Sequence, residues 1–282
     1  MFQFPQQYSL FNIEDLPPNG IRSPLNFAGS KKLAIPFILP HIPKDEMVFC
    51  CPFAGGASIE LALVTRNQET TVHASDNFHP LANFWTHLLE CPDRLIERAD
   101  HFFHVWTKML TRYSHAERMS LGFQELIKQY WLLSDDLSRA ALYFVINKRG
   151  CMGLAFCATQ SRRRDSTEEY CLSLLREFRS PRRFTYEHLE YEESIEKYQD
   201  CFLYLDPPYI GKESYYGTRK STFDHDKLAS LLRTRERWLL SYNDHPKVRR
   251  LYEGYKTIRI EPKVNMRYKY RDTYHELLIM PY

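Results

Sequence analysis

The chain has no C-x-x-C pair: its 7 cysteines are scattered, and only Cys50 and Cys51 lie close together. That spacing offers neither a zinc site nor a redox dithiol, and an odd cysteine count fits a reducing cytoplasm better than a disulfide framework. Long apolar runs are missing as well, so no segment reads as a bilayer-crossing helix, and no secretory leader is read ahead of the first motif. Internal repeats and low-complexity tracts are absent. No strong excess of either charge exists. The net charge is +3 and the pI about 8.4, which permits a nucleic-acid partner without requiring one.

What is present is ordinary globular material. Hydrophobic residues make up 44% and charged residues 26% of 282 positions. That is enough for one large α/β domain or two smaller ones around a sizeable core. Aromatics reach 15%, with 19 Tyr; part is core, and any surface Tyr beside Lys or Arg suits stacking on bases.

Residues 1–22 are polar, contain Leu16-Pro17-Pro18-Asn19-Gly20, and read as an irregular arm. The loop Ser23 to Lys32 leads into an amphipathic helix over Leu33 to Leu39. Met47 to Cys51 is a short apolar strand, Pro52 to Ser58 a glycine turn, Ile59 to Val64 a helix and Thr71 to Ala74 the next strand. From Leu81 to Ile146 the apolar spacing is helical, Leu95, Ala99, Phe102, Phe103 and Trp106 forming one face. Asn147 to Gly153 breaks it. Gln160 to Arg164 reads as an exposed loop, and the basic character continues through Arg176, Arg179, Arg182 and Arg183. Strand–helix alternation resumes near Phe184, and Leu277 to Met280 closes the pattern. The expected organisation is an α/β core, 23–90 with 185–282, interrupted by a helical and basic insert over 91–184.

The most informative stretch is Asp206-Pro207-Pro208-Tyr209, which follows the apolar run Cys201 to Leu205. The run reads as a buried strand, and the prolines stop it and remove two donors. The carboxylate, the following carbonyls and the Tyr ring then project at the strand's C-terminal end, where open α/β sheets bind ligands. A carboxylate and a rigid carbonyl can accept from an exocyclic amine, and an aromatic ring can stack on the base that bears it. Upstream, the loop Pro52-Phe53-Ala54-Gly55-Gly56-Ala57-Ser58 joins a strand to a helix. It lacks the G-K-[ST] ending of a P-loop and the third glycine of a dinucleotide fingerprint, which leaves a carboxylate or nucleoside as its ligand. Asp76, beside Asn77 and about 20 positions on, is placed to accept from a ribose diol. Lys31 could neutralise a carboxylate, and Phe27 could pack on an adenine or a methionine chain.

Taken in order, Phe27-Ala28-Gly29-Ser30-Lys31, Pro52 to Ser58, Ser75-Asp76-Asn77, Asn147 to Phe156 and Asp206 to Tyr209 resemble the Dam-type (class D12) adenine-N6 DNA methyltransferases. The resemblance implies a Rossmann-like S-adenosylmethionine-dependent methyltransferase sheet with a target-recognition insert. It implies that Phe27, Lys31, Asp76, Asn77 and Asp206 contact S-adenosyl-L-methionine, that Pro52, Phe53, Ala54, Gly55, Gly56 and Ser58 cradle its methionine part, and that Asp206, Pro207, Pro208 and Tyr209 hold a flipped adenine. Asn147, Lys148, Arg149, Arg162, Arg163, Arg164, Arg182, Arg183 and Lys269 are the candidate contacts to double-stranded DNA. No metal and no membrane is implied. A cognate restriction endonuclease is admitted as a partner, with the chain a monomer or weak dimer.

The sequence departs from that family in several places, and Cys157 to Arg164 aligns with none of its motifs. Cys51 stands where an acid usually precedes Pro-Phe, so another acceptor is needed for the cofactor's ammonium. The loop reads G-G-A instead of G-x-G. After Asn147 the N-x-x-x-x-x-G-L pattern is followed only loosely. Two other readings stay open: an amino-methyltransferase acting on RNA or another acceptor, and a non-catalytic DNA-binding subunit.

Overall fold

Alternating side chains on the central strands divide the molecule into two cores. The computed structural model describes residues 20–113, 117–150, 156, 167–211, 223–261 and 275–282. Phe49 and Cys51 of β1 (Val48–Cys51) face one hydrophobic cluster while Cys50 faces the other. In β4 (Phe202–Leu205), Phe202 and Tyr204 face the first and Leu203 and Leu205 the second. Side chains of a strand alternate between faces, so a strand apolar at every position is buried on both sides.

Seven strands form one sheet in the order β3-β2-β1-β4-β5-β7-β6. The other members are β2 (Thr71–Asp76), β3 (Phe184–His188), β5 (Trp238–Asn243), β6 (Lys256–Ile260) and β7 (Glu276–Met280). β3, β2, β1, β4 and β5 run parallel, and β7 lies antiparallel between β5 and β6. The chain winds outwards from β1 in one direction and from β4 in the other. A crevice opens at the carboxyl ends of the strands where such winding reverses.

The first core is covered by α1 (Ile35–Ile38), α2 (Ser58–Arg66), α3 (His79–Glu90), α4 (Pro92–Leu110), α5 (Phe123–Leu132), α6 (Asp136–Arg149) and α7 (Glu168–Arg176). The second is covered by α8 (Tyr191–Lys197), α9 (His225–Leu232) and α10 (Pro246–Leu251). Side-chain caps set several starts: Asp135 accepts from Ser138 N, Thr167 from Tyr170 N and Asp224 from Lys227 N. Leu95, Ala99, Phe103 and Trp106 are buried as one face, with Phe102 at its half-buried margin. That face and Phe144 of α6 belong to the same cluster as Phe49 and Val72 of the sheet, so the helical segment shares the sheet's core.

Two boundaries differ from expectation. The helix read over Leu33 to Leu39 is broken into 3-10 turns at Lys31–Leu33 and Leu39–His41 around the short α1, because Pro36 and Pro40 remove donors. The break expected at Asn147 comes later, since α6 runs through Arg149. The arm before residue 20, Arg162 to Arg164 and Lys263 to Arg271 lie outside the described residues. Among the described residues no helix is long and apolar enough to cross a membrane.

Candidate active site

β1 pairs with β2 on one side and β4 on the other, so the segments leaving all three strands emerge together. One cleft is lined by residues from each: Phe53 to Gly56 after β1, Asp76 to Phe78 at the end of β2, and Asp206 and Pro208 after β4. Phe27 to Lys31 close it from above, and Tyr143 of α6 and Leu81 of α3 contribute to its wall. The two carboxylates singled out from sequence therefore open into a shared space.

The glycine loop is fixed on every side. Gly55 has φ +50°, a left-handed conformation that favours glycine. Its N–H donates to Asp76 Oδ2 at 3.1 Å, and its carbonyl accepts from Trp85 Nε1 at 3.2 Å and from the Tyr186 hydroxyl at 3.0 Å. A Cβ on Gly55 would stand 2.6 Å from Phe27 Cε1, and one on Gly56 would stand 2.8 Å from Phe27 Cβ. Phe27 thus lies directly on the glycines, which is the physical reason for both. Ala57 also has a positive φ, 56°, where the sequence lacks a third glycine. Ser58 opens α2 and shares a hydrogen bond of 2.9 Å with Ser30 across the cleft.

Asp76 accepts a second N–H, from Phe78, at 3.0 Å. Burial lifts its carboxyl to about 6, against the pull of the two amides. Asn77 is exposed, donating to Glu190 Oε2 at 3.1 Å and sharing a hydrogen bond of 3.1 Å between its carbonyl and His188. Phe53 stacks on Tyr191, with centroids 5.3 Å apart, and Pro52 is buried beneath it.

On the opposite wall, Lys31 Nζ lies 2.7 Å from Asp206 Oδ2 and 3.6 Å from Glu276 Oε1. Burial opposes the charge on Lys31, yet Asp206 and Glu276 outweigh it and hold its pKa above the ordinary lysine value. Burial likewise lifts Asp206 to about 6, restrained by Lys31 and reinforced by Glu276. Hydrogen bonding from the Tyr209 side chain also pulls the Asp206 carboxyl down, though Oδ1 is buried without a partner in good geometry among the described residues. A buried acceptor of that kind is costly unless a ligand completes it. The carboxylates that Lys31 meets among the described residues are those of Asp206 and Glu276. Pro207 is buried, and Tyr209 is 2% exposed, stacked on Tyr242 at 5.9 Å with Lys31 4.8 Å above its ring centre.

Among the described residues, the expected DNA contacts do not line the cleft. Asn147, Lys148 and Arg149 are buried in the last turn of α6. Asn147 Oδ1 accepts from Asn26 N at 2.9 Å and its Nδ2 donates to Asn26 O at 2.7 Å, pinning the segment that carries Phe27 and Lys31. Arg149 reaches Glu168 at 3.8 Å. Arg182 and Arg183 are exposed but precede β3, at the sheet edge away from the cleft, where Arg183 pairs with Glu69 at 3.0 Å. Arg162, Arg163, Arg164 and Lys269 lie outside the described residues.

Two acids of the cleft region escaped the sequence reading. Glu60 lines the cavity from the first turn of α2, and Glu276 begins β7. Each is a lone acid in an otherwise apolar run, Ile59-Glu60-Leu61 and Glu276-Leu277-Leu278. A charge at an interior position of the hydrophobic pattern is the signal that marks both.

The residues present fit an adenosyl sulfonium amino acid. They offer a recessed carboxylate for a diol, the apolar Phe27 ring, and buried acids for positive charge. Residues 27–266 match the family described as D12 class N6 adenine-specific DNA methyltransferase. Among curated proteins none matches the chain. The seven-stranded mixed sheet is consistent with an S-adenosylmethionine-dependent methyltransferase fold.

Proposed function

Because the chain belongs to the D12 class N6 adenine-specific DNA methyltransferase family, we propose that it transfers a methyl group from S-adenosylmethionine to N6 of an adenine turned out of double-stranded DNA. The observation that carries this reading is the shared cleft. Asp76 and Asp206 leave different strands yet line one cavity.

When bound, the cofactor supplies a methyl group on a positively charged sulfur. Asp76, held by Gly55 and Phe78 amides, keeps acceptor capacity for a ribose diol. Gly55 and Gly56 let Phe27 lie against the loop, and the Phe27 ring gives the ligand an apolar surface. The adenine amine is a weak nucleophile because its lone pair is delocalised into the ring. Asp206 Oδ1 and the Pro207 carbonyl accept its two N–H bonds, localise that lone pair and aim it at the methyl carbon. Rate enhancement then comes from positioning and from charge fixed in a dry site. Pro207 and Pro208 stiffen this corner, and Lys31 keeps Asp206 oriented. A stacking role for Tyr209 requires its ring to leave the cover of Tyr242 when the base enters. The helical insert over 91–184 is proposed to carry target recognition, and the cytoplasm is the proposed setting.

Asp206 favours adenine over the alternative acceptors, since cytosine enzymes usually show Ser, and glutamine enzymes Asn, in its place. Sequencing that reports modified bases in DNA from cells expressing the chain tests the proposal. Modified adenine at one recurring site is the expected result; DNA without it, or with modified cytosine, contradicts it.

A further inference from the structure

Glu60 is an acid buried in the cleft with no ion pair among the described residues. It is 3% exposed and lines the same cavity as Asp76 and Asp206. Among the described residues, the titratable groups around it are the Cys51 thiol of β1, within hydrogen-bonding reach, Tyr186 of β3, Tyr204 of β4 and Asp206 just beyond, and the Ile59 and Glu60 amides donate to it. Among the described residues the cation lining the cleft is Lys31, and it is held by Asp206 at 2.7 Å and Glu276 at 3.6 Å. A buried acid with no cation opposite is an unfavourable element in an empty protein. It becomes favourable when a cationic ligand group takes its place beside it.

The cofactor of the proposed reaction brings such a group, an α-ammonium that shares its carbon with a carboxylate. Glu60, in the first turn of α2, offers that ammonium a seat. Cys51, at the end of β1, is itself uncharged: burial holds its thiol well above the usual range. We propose that Glu60 is the seat for the cofactor's α-ammonium, in place of an acid at position 51, and that it gives up a proton as the cofactor binds. This rests on the methyltransferase reading.

Burial lifts the Glu60 carboxyl to about 8, with its backbone amides opposing and Asp206 adding to the rise. Near neutrality the empty site is therefore protonated there, and an ammonium that binds the ionised form must expel that proton. Affinity then weakens by about tenfold for each pH unit below 8, by linkage. Asp76 and Asp206, each lifted to about 6, add their own dependence only at lower pH.

Calorimetric titration of the full chain with S-adenosylhomocysteine at pH 7, in two buffers of different ionisation enthalpy, tests this. The ligand keeps the ammonium but has a neutral sulfur, so the sulfonium cannot be the cause. Wild type is expected to release about one proton. Glu60→Gln is expected to bind about tenfold or more weakly with no proton released. The analogue lacking the α-amino group is expected to bind wild type without proton release and with no advantage over the variant. Unchanged affinity and proton count in Glu60→Gln, or proton release with the des-amino analogue, overturns the inference. Should the variant not fold, the two ligands on wild type decide the matter. Failure of wild type to bind S-adenosylhomocysteine at all contradicts the methyltransferase reading instead.

Discussion

Single side chains in the cleft are tuned against one another. Asp206 must be ionised to accept from an amine, and it sits near 6 because Lys31 offsets part of its burial. The sign follows directly: methyl transfer should fail as pH drops through about 6, where the carboxylate takes up a proton. Lys31→Met removes the offset and leaves Asp206 beside Glu276. The acid limb of single-turnover rate against pH should therefore move upwards, and the fold should lose about 3–5 kcal/mol from the broken buried pair. A limb that stays in place would remove Lys31 from this role. Gly55→Ala meets both a positive φ and Phe27 at 2.6 Å. It should lower stability by about 1–3 kcal/mol and weaken S-adenosylhomocysteine binding, measured by thermal melting and calorimetry. Glu60→Gln should behave oppositely in stability. A carboxyl lifted to about 8 gives stability that is present at low pH and lost as pH climbs through that value. Above pH 8 the variant should melt no lower than wild type, although its ligand affinity falls.

Among the elements, the sequence made the strand ends legible and left the N-terminal segment's anchor hidden. Prolines after β4, glycines after β1 and Asp76 closing β2 announce chemistry at carboxyl ends because those residue types are poor strand formers with a local purpose. The convergence of those ends depends on β1 lying between β2 and β4, a long-range pairing that no local pattern encodes. Asn147-Lys148-Arg149 misled for a related reason. Three polar residues after an apolar helix resemble an exposed stop, but here they form one more buried turn whose partners are distant in the chain. The Asn147 amide meets both backbone groups of Asn26. Asn147→Ala should leave those two groups unpaired, costing about 1–3 kcal/mol each, and loosen Phe27 and Lys31. Calorimetry should show weaker S-adenosylhomocysteine binding alongside a lowered melting temperature. Unchanged binding with lowered stability would confine Asn147 to the fold.

The whole molecule has a modest net charge of +3, so where the charge lies matters more than its sum. Arg182 and Arg183 stand at the sheet edge away from the cleft, and Arg183 is already paired with Glu69. Substituting both with Ala should leave DNA affinity and its salt dependence nearly unchanged. A slope of log affinity against log salt reduced by about one or more would show that DNA reaches that edge. The central claim is that one cleft brings a sulfonium methyl and an extruded adenine amine together at Asp206. The direct measurement is transfer of labelled methyl from S-adenosylmethionine to double-stranded DNA, followed by digestion to nucleosides, for wild type and Asp206→Ala. Label should appear in N6-methyldeoxyadenosine with wild type and vanish in the variant while S-adenosylhomocysteine still binds. Label in another nucleoside, or undiminished transfer by Asp206→Ala, would contradict it.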